Sequence, residues 1–468
     1  MDRAEFRRYG HEFIDWLADY FDHIEQYPVR SEVAPGAILS VLPDTPPMQP
    51  ESMEAVFSDF RKVIMPGITH WQHPGWFAYF PANNSPVSVL AELLTAGLGS
   101  QCMLWQTSPA AAELEERMME WLRDMLDLPR GMTGVIQDTA STATLCALLS
   151  ARETATGHTA NQKGIDVPLR VYVTSETHSS IEKGVKIAGF GRENLVMVRT
   201  GEDLGMCPVD LDRAVKKDID EGRHPACVVA TLGTTSSMAM DPVDAIGDVC
   251  RKHNIWLHVD AAFAGTAAIH PDHRWFMKGV EKADSFVFNP HKWMLTNFDC
   301  SAYFVKDPEI LLRTLSIQPE YLRTSADRQV KNYRDWGIQL GRRFRALKLW
   351  FVIRSYGIEG IRNMVERHID LARKFSGWID AGSNFERMAP QHLSLVCFRY
   401  NPGNLTESEL ERINKNLLER LNATGKVYLT HTTLNGIYTL RLSVGQRNTD
   451  VRHVNMVWEL LNEIVKDI

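Results

Sequence analysis

Short apolar runs alternate with helical patterns between about residue 100 and residue 305, and this alternation constrains the fold more than any other feature of the 468-residue chain. Each run has the length and apolar content of a strand that is buried on both faces of a parallel sheet. Because strands joined by helices form right-handed βαβ units, we expect an α/β fold with a mostly parallel sheet. The predicted strands are residues 170–173, 226–231, 255–259, 285–288 and 301–305.

The regions on either side of the predicted sheet have a different pattern. Residues 1–30 carry apolar side chains at helical spacing and precede a proline-rich connector. Because such a helix cannot fold alone, we expect it to pack against a second subunit in a homodimer. Past about residue 360, helical patterns surround one strand, which indicates a small α+β domain. The predicted divisions are an N-terminal helical dimerisation segment at 1–85, a large domain at 86–360 and a small C-terminal α+β domain at 361–468.

Charge and composition exclude several kinds of protein. The net charge of −7 argues against a nucleic-acid partner, because phosphate binding needs clustered positive charge. No stretch reaches the roughly 18 uninterrupted apolar residues that a membrane span requires, and the first residues contain no signal-peptide core, so we predict a cytoplasmic protein. The seven cysteines are scattered and form no Cys-x-x-Cys pair. Neither a disulfide framework nor a metal site is therefore predicted.

One aspartate and one lysine follow successive predicted strands in positions that suit a shared chemistry. Asp260 ends the run 255–259, and Lys292 stands 32 residues later, in Asn-Pro-His-Lys-Trp after the run 285–288. Taken singly, such residues are usually turn formers, caps or surface groups. At the carboxyl ends of parallel strands, however, they occupy the edge where open α/β sheets bind ligands. A lysine amine can form a Schiff base, and a carboxylate can keep a pyridinium nitrogen protonated, so the pair predicts a pyridoxal 5'-phosphate site.

Polar residues after other predicted strands fit the same cofactor. The segment 137–144 places small hydroxylated residues at a helix start, where backbone N–H groups bind anions, although a plain helix cap explains it equally well. Thr235 follows the run 226–231 and could contact the ring of the cofactor. His178 follows the run 170–173; a lone histidine is more often structural, but its place at a strand end favours stacking on that ring.

The ordered motifs resemble those of the group II pyridoxal phosphate-dependent decarboxylases, and within that group the aromatic-L-amino-acid (Dopa/tryptophan) decarboxylases. The resemblance runs from Tyr9 through nearly the whole chain. The motifs that carry it are His70–Pro74, Ala78–Pro81, Ser108–Ala110, Gly134–Ala151, Leu257–Ala262, Asp284–Trp293, Asn297–Ser301 and Leu340–Arg345. The resemblance implies the fold of the aspartate aminotransferase-like (fold type I) transferases, a homodimer with the site at the subunit interface, and release of CO2 to give an arylalkylamine.

The resemblance also implies a role for each site residue. Lys292 corresponds to the Schiff-base lysine, Asp260 to the pyridinium partner and His178 to the residue stacked on the ring. His291 is similar to the active-site histidine of the family, and Tyr321 to the tyrosine that protonates the carbon from which CO2 has left. The implied cofactor-binding residues are Thr139, Ala140, Ser141, His178, Thr235, Asp260, Ala262, Asn289 and Lys292.

The substrate residues implied by the resemblance indicate an aromatic side chain. Trp71, Tyr79, Phe80 and Pro81 match an apolar pocket, although core packing between subunits would use the same residues. Gly341 leaves room for a ring as large as indole, while Gln101 and Met103 stand where related enzymes have bulkier apolar residues. Tryptophan, phenylalanine, tyrosine and Dopa all remain open as the preferred substrate, and neither the physiological role nor regulation follows from the sequence.

Several alternative functions use the same scaffold. A histidine or glutamate decarboxylase would differ in substrate, whereas an aromatic aldehyde synthase, an aminotransferase or a desulfurase would differ in reaction. Family members that deaminate oxidatively usually lack the tyrosine found here at Tyr321, so its presence favours simple decarboxylation. A catalytically silent dimeric scaffold is a further alternative, which the full set Lys292, Asp260 and His178 argues against.

Overall fold

The structure of the chain is a computed structural model that describes residues 1–317 and 329–467. The α-helices are α1 (Arg3–Asp22), α2 (Met53–Asp59), α3 (Pro86–Leu98), α4 (Pro109–Met125), α5 (Ala140–Ala155), α6 (Ala160–Lys163), α7 (Ser180–Ile187), α8 (Pro208–Asp220), α9 (Val243–His253), α10 (Pro290–Trp293), α11 (Pro308–Leu315), α12 (Arg345–Ala381), α13 (Glu407–Ala423) and α14 (Val451–Ile464). The strands are β1 (Thr133–Gln137), β2 (Leu169–Val173), β3 (Leu195–Met197), β4 (His224–Thr231), β5 (Trp256–Asp260), β6 (Ser285–Phe288), β7 (Ser301–Val305), β8 (Phe385–Arg387), β9 (Leu395–Tyr400), β10 (Thr430–Leu434) and β11 (Ile437–Ser443).

The larger sheet confirms the predicted α/β fold. Its strands follow the order β1-β7-β6-β5-β4-β2-β3. The neighbouring pairs from β3 to β6 are parallel, and β7 runs antiparallel to both β6 and β1. Every residue of β5, β6 and β7 is buried, as expected for strands covered by helices on both faces. The sheet is therefore mostly parallel, with one reversed strand.

A second, smaller sheet confirms the α+β pattern of the C-terminal region. Its strands follow the order β10-β11-β9-β8 and are antiparallel throughout. Helices α13 and α14 contribute Leu417, Leu421, Val457 and Leu461 to the apolar core under this sheet. The predicted domain division stays a prediction, and its boundary at residue 360 falls inside α12.

Helix α12 joins the two cores. It is interrupted at Gly357, whose φ of 66° and ψ of 170° are not helical. Before this break, Leu349 and Val352 belong to the core of the larger sheet. Well after it, Ala372 and Phe375 belong to the core of the smaller sheet. One helix thus links the two halves of the molecule.

The N-terminal helix contacts its own chain as well as solvent. Phe13 of α1 lies 4.6 Å from Phe57 of α2 between ring centroids, and Trp16 lies 5.2 Å from Phe60. Phe6 and Ile14 remain exposed. Among the helices of the described residues, none is both long and apolar enough to cross a bilayer.

Candidate active site

The predicted site residues gather at the carboxyl edge of the larger sheet. Asp260 is the last residue of β5, and Lys292 lies in α10, four residues after the end of β6. His178 and Thr235 lie in the loops that follow β2 and β4. Because these four strands are parallel, their carboxyl ends meet at one edge, which is where the sequence places the cofactor.

The amine of Lys292 is desolvated and, within the described residues, is not held by a hydrogen bond or an ion pair. Pro290 starts the single turn of α10, and the Lys292 N–H donates to the Asn289 carbonyl at 2.9 Å. The Lys292 Nζ lies 5.5 Å from the ring centroid of Phe80, and within the described residues it has no hydrogen-bond or ion-pair partner. Burial lowers the pKa of Lys292, and the negative charge of Asp260 opposes that shift. The amine is therefore closer to its neutral, nucleophilic form than an exposed lysine.

Asp260 presents a buried carboxylate to the same space. It is 5% exposed, and its Oδ1 accepts a hydrogen bond from the Ala262 N–H at 3.0 Å. Its backbone lies between Thr231 of β4 and Val287 of β6, so the position is held on both sides. Its negative charge acts on the titration of both Lys292 and His178, which shows that the three groups are neighbours.

His178 lies at the mouth of this group with its ring exposed. Nevertheless, desolvation by the surrounding protein lowers the pKa of His178, and the charge of Lys292 lowers it further, whereas Asp260 raises it. The Ser180 N–H donates to His178 Nδ1 at 3.2 Å, so the proton of the neutral ring resides on Nε2. A neutral imidazole in this position can stack on an aromatic cofactor.

Helix α5 begins with the donors that a phosphate requires. Thr139 caps the helix, with its side chain accepting a hydrogen bond from the Thr142 N–H. The N–H groups of Ala140 and Ser141 find no acceptor within the described residues, and the dipole of this 16-residue helix favours an anion there. The Ser301 hydroxyl donates to Asn289 Oδ1 at 2.5 Å, which leaves the Asn289 amide N–H groups as further donors.

The donor set therefore fits pyridoxal phosphate. An unpartnered buried amine suits the aldehyde, a buried carboxylate suits the ring nitrogen, and free backbone N–H groups suit the phosphate. One neighbour opposes the phosphate: Asp138 accepts a hydrogen bond from the Thr139 N–H at 2.5 Å. The carboxylate of Asp138 also accepts from Gln339 Nε2 at 3.2 Å, which partly offsets its charge.

Arg441 belongs to this site, although the sequence did not single it out. It lies on β11 and is 3% exposed, and its Nη2 donates to the Thr235 carbonyl at 2.5 Å. Its Nε donates to the Ser236 carbonyl at 3.1 Å, and its Cζ lies 5.7 Å from the Phe80 ring centroid. The guanidinium thus fixes the loop after β4. The available signal was one arginine between two leucines of a predicted strand, because buried charges are rare.

His291 lies directly before the lysine in a buried setting. The Cys300 N–H donates to His291 Nδ1 at 2.9 Å, so the neutral ring carries its proton on Nε2. Burial lowers the pKa of His291 to about 3, with the charges of Lys292 and Lys348 acting in the same direction. His291 is therefore neutral near pH 7.

The implied substrate residues fall into three separate groups. Phe80 stacks on Phe263 with centroids 4.1 Å apart, and Phe263 stacks on Trp293 at 4.5 Å, so Phe80 both lines the Lys292 site and belongs to the core. Pro81 is buried next to it. The remaining substrate residues lie in two groups away from Phe80 and Pro81. Tyr321 is outside the described residues.

The second group is an aromatic cluster at the surface. Trp71 is 37% and Tyr79 47% exposed, and their ring centroids are 5.9 Å apart. Trp71 also contacts Trp76, with centroids 4.2 Å apart. Arg441 is the link to the Lys292 site, since its Nη2 approaches the Tyr79 carbonyl at 3.5 Å.

The third group consists of Gln101, Met103 and Gly341, and two of these three residues line a cavity of about 380 Å³. Gln101 and Gly341 both lie in its wall, and Gln101 Oε1 accepts a hydrogen bond from the Arg342 N–H at 2.7 Å. A Cβ atom added to Gly341 would come 3.3 Å from Gln101 Nε2, so the glycine does widen this space. Met103 contributes its carbonyl to the Arg334 N–H at 3.0 Å. Within the described residues of one chain, neither Gln101 nor Gly341 has a hydrogen bond to Lys292.

Comparisons with known proteins find related sequences and structures. Residues 35–401 match the pyridoxal-dependent decarboxylase conserved domain. The chain is 43% identical to tyrosine decarboxylase 3 of Petroselinum crispum, over 99% of this chain and 92% of that protein. It is 42% identical to phenylacetaldehyde synthase of Petunia hybrida, over 98% of this chain and 94% of that protein. The crystal structure of Catharanthus roseus tryptophan decarboxylase in complex with L-tryptophan superposes with a TM-score of 0.94 at 40% identity, covering 100% of this chain and 99% of that one.

Proposed function

Because this chain belongs to the pyridoxal-dependent decarboxylase family and has its fold type I architecture, we propose that it removes CO2 from aromatic L-amino acids and releases the corresponding arylalkylamines. Its cofactor is pyridoxal 5'-phosphate. The observation that carries the proposal is the unpartnered, desolvated amine of Lys292 beside the carboxylate of Asp260. The names of the relatives support the substrate class, since they include a tyrosine decarboxylase and a tryptophan decarboxylase.

The residues of the site divide the work between holding the cofactor and holding protons. When bound, the cofactor supplies an aldehyde that captures amines and a ring that accepts the electron pair left by departing CO2. Lys292 would offer Nζ to that aldehyde, and Asp260 would hold a proton at the ring nitrogen so that the ring stays electron-poor. His178 would cover one face of the ring. The N-terminus of α5 and Asn289 would hold the phosphate.

Neutral histidines keep the site from trapping the substrate carboxylate as a fixed ion pair. Because the pKa values of His178 and His291 are lowered, both rings are uncharged near pH 7 and donate from Nε2. A hydrogen bond from a neutral donor orients a carboxylate but stabilises its charge less than an imidazolium would. Because the substrate carboxylate is stabilised less before CO2 leaves, the barrier to decarboxylation is raised less.

We also propose a homodimer that completes the substrate pocket. Helix α3 exposes an apolar row, with Leu90, Leu93, Leu94 and Leu98 each about half accessible. An exposed row of this kind is typical of an interface. The cavity that contains Gln101 and Gly341 adjoins the end of α3 at Gly99. A partner subunit on this face would bring the Gln101 cavity of one chain towards the Lys292 site of the other.

The seven cysteines suit a reducing compartment. All of them are unpaired, and six are buried. We propose a cytoplasmic location on this ground. We also propose the roles predicted for the three regions of the chain, including dimerisation by residues 1–85.

A panel of L-amino acids tests the reaction and the substrate class together. The purified protein, supplied with pyridoxal phosphate, is incubated with tryptophan, phenylalanine, tyrosine, Dopa, histidine and glutamate, and the amine and CO2 are both measured. We expect equal amounts of CO2 and amine from at least one aromatic substrate. Turnover of histidine or glutamate alone would overturn the aromatic assignment.

Lys292→Ala should remove both the visible absorbance of the bound cofactor and the activity. The reason is that Nζ is the atom we assign to the covalent bond with the cofactor aldehyde. Absorbance spectroscopy after gel filtration measures retained cofactor. Lys306→Ala is the control, because that lysine is exposed at the end of β7. A Lys292→Ala protein that keeps the wild-type absorption band would refute the assignment.

The 42% identity to a phenylacetaldehyde synthase supports a second candidate reaction, which consumes O2 and water and gives an aldehyde, ammonia and hydrogen peroxide, with CO2, instead of the amine. Tyr321 is the residue that the resemblance assigns to protonation after CO2 loss. We therefore expect Tyr321→Phe to retain the cofactor but to yield less amine, with a rise in aldehyde and peroxide. Product analysis by mass and a peroxide assay measure both outcomes, and an unchanged amine yield would dismiss the role of Tyr321.

A further inference from the structure

Two histidines and one glutamate converge at a place that the decarboxylation chemistry does not use. His270 and His273 lie at the start of the 3-10 helix Pro271–Met277, and Glu366 lies on α12. His273 Nε2 is 2.5 Å from Glu366 Oε2. One ligand atom from each of the three residues lies within 4.8 Å of the other two, and all three side chains are half-buried.

The local backbone aims both imidazoles in one direction. A 3-10 helix has three residues per turn, so positions i and i+3 lie on the same side. His270 caps the helix and His273 is three residues on, and their ring centroids are 5.1 Å apart. The pair therefore forms one side of a site, and Glu366 supplies the other.

Hydrogen bonds fix the two elements next to this cluster. Arg362, one turn before Glu366 on α12, donates from Nε to the Ile269 carbonyl at 2.9 Å. Arg274, the residue after His273, donates to the Ala268 carbonyl at 2.8 Å and to the Met125 carbonyl at 2.9 Å. The three ligands thus project from backbone that is held in place, as binding sites require.

The donor set selects the class of ion. Two imidazole nitrogens and one carboxylate oxygen suit Zn²⁺ and similar first-row divalent ions, whereas Mg²⁺ and Ca²⁺ prefer oxygen ligands throughout. Bonds of about 2.0–2.2 Å at tetrahedral angles would separate the ligand atoms by roughly 3.4 Å. The only hydrogen bond to His270 Nδ1 in the described residues is the long one from the Asp272 N–H, at 3.3 Å, so little is lost on binding.

We propose that His270, His273 and Glu366 bind one Zn²⁺, with water in the fourth position. The ion fastens α12 to the segment that leaves β5, the strand that carries Asp260. Two residues beyond Glu366, His368 accepts a hydrogen bond from Trp293 Nε1 at 2.8 Å, next to Lys292. The metal therefore reinforces the attachment of α12 behind the lysine. Cysteine spacing gave no sign of this site, because its ligands are histidines and a carboxylate 93 residues apart in sequence.

Zinc binding to the holoenzyme tests the proposal without reference to activity. The protein, loaded with cofactor, stripped with a chelator and desalted, is dialysed against zinc chloride, and bound metal is counted by mass spectrometry. We expect one tightly bound zinc per chain in the wild type. His273→Ala, His270→Ala and Glu366→Gln should each bind that zinc more than about tenfold more weakly. His224→Ala, which removes an exposed histidine at the start of β4, should bind like the wild type.

Thermal melting supplies a second readout and guards against misfolded variants. Zinc should raise the melting temperature of the wild type and of His224→Ala, but not that of the three ligand variants, because only a ligand of the folded state stabilises it. Glu366→Gln can keep its hydrogen bond to His273 and so separates loss of metal from loss of structure. A wild type that binds no zinc, or well-folded variants that bind it with wild-type affinity, would overturn the proposal.

Discussion

At the scale of single residues, His258 shows how a polar side chain is accommodated inside the larger sheet. Its Nε2 lies 3.1 Å from the Thr144 hydroxyl of α5, and its Nδ1 lies 2.9 Å from the Ser285 hydroxyl of β6. The side chain is fully buried, and burial lowers the pKa of His258 from its ordinary value of 6.5 to about 4. These bonds tie helix α5 to the strands beneath it.

The lowered pKa of His258 makes the fold sensitive to acid. Between pH 6.5 and 4 the folded state binds fewer protons at this residue than the unfolded state, so stability falls as the pH falls. From pH 7 to pH 5 this one residue should account for a loss of about 2 kcal/mol. We expect His258→Gln to be less stable at pH 7 but to lose less of its remaining stability towards pH 5.

Urea denaturation at several pH values measures this dependence. The informative quantity is the slope of the free energy of unfolding against pH, since the lost hydrogen bonds change its absolute value. His224→Gln, at an exposed position, should keep the wild-type slope. Equal slopes for His258→Gln and the wild type would show that this histidine does not titrate on unfolding.

Some residues of the candidate site could be predicted from the sequence, and others could not. Lys292 and Asp260 were accessible because each follows an apolar run, and strand ends of a parallel sheet share one edge. Arg441 was not, because the backbone carbonyls that it fixes at the site, those of Thr235 and Ser236, are more than 200 positions earlier in the chain. The pairing of His273 with Glu366 likewise depends on a tertiary contact that no local pattern encodes.

At the scale of elements, the apolar pattern predicted where strands occur better than it predicted the direction in which each strand runs. The run 301–305 is a buried strand as expected, yet β7 runs antiparallel to both of its neighbours. The apolar residues of a run look the same whichever way the strand points. The direction of the strand therefore depends on the connection that precedes it. The short strand β3 was missed because an apolar run of three residues is too short to distinguish a strand from a loop.

The break in α12 depends on the backbone freedom of one glycine. Gly357 adopts φ 66° and ψ 170°, a region that residues with a Cβ atom essentially never occupy. A Cβ atom added there would meet nothing within 4 Å, so packing imposes no penalty. We therefore expect Gly357→Ala to destabilise the protein by about 1–3 kcal/mol through backbone strain alone.

Gly377 in the same helix provides a matched comparison for Gly357→Ala. It is exposed, lies within regular helix, and also has open space around its Cβ direction. Gly377→Ala should stabilise the protein by up to about 1 kcal/mol, because alanine favours helix. Thermal and urea unfolding measure both variants. Stabilisation by both alanines would mean that position 357 accepts a helical conformation in solution.

At the scale of the whole molecule, surface apolar residues are unevenly distributed. The row on α3 lies near the rim of the Gln101 cavity, while isolated apolar residues such as Val209 on α8 stand alone. This distribution supports the proposed interface at α3, where a partner subunit would approach the wall formed by Gln101 and Gly341. A monomer would leave the proposed substrate pocket incomplete.

Leu94→Glu should convert the proposed dimer to a monomer and abolish activity. A charge in the middle of an apolar interface is costly to bury without a partner. Sedimentation velocity measures the change in mass, and Val209→Glu serves as the control at a comparably exposed position. If the wild type itself sediments as a monomer, the dimer proposal fails.

The hydrogen bond between Trp293 and His368 has a consequence for how this enzyme could diversify. Because Trp293, the neighbour of Lys292, is anchored to the helix that also supports the smaller sheet, a substitution in the C-terminal half can shift the position of Lys292 through this hydrogen bond. Selection can therefore adjust turnover from a distance, through residues that never meet a substrate. Mutational libraries limited to residues of the cleft would leave out these distant positions.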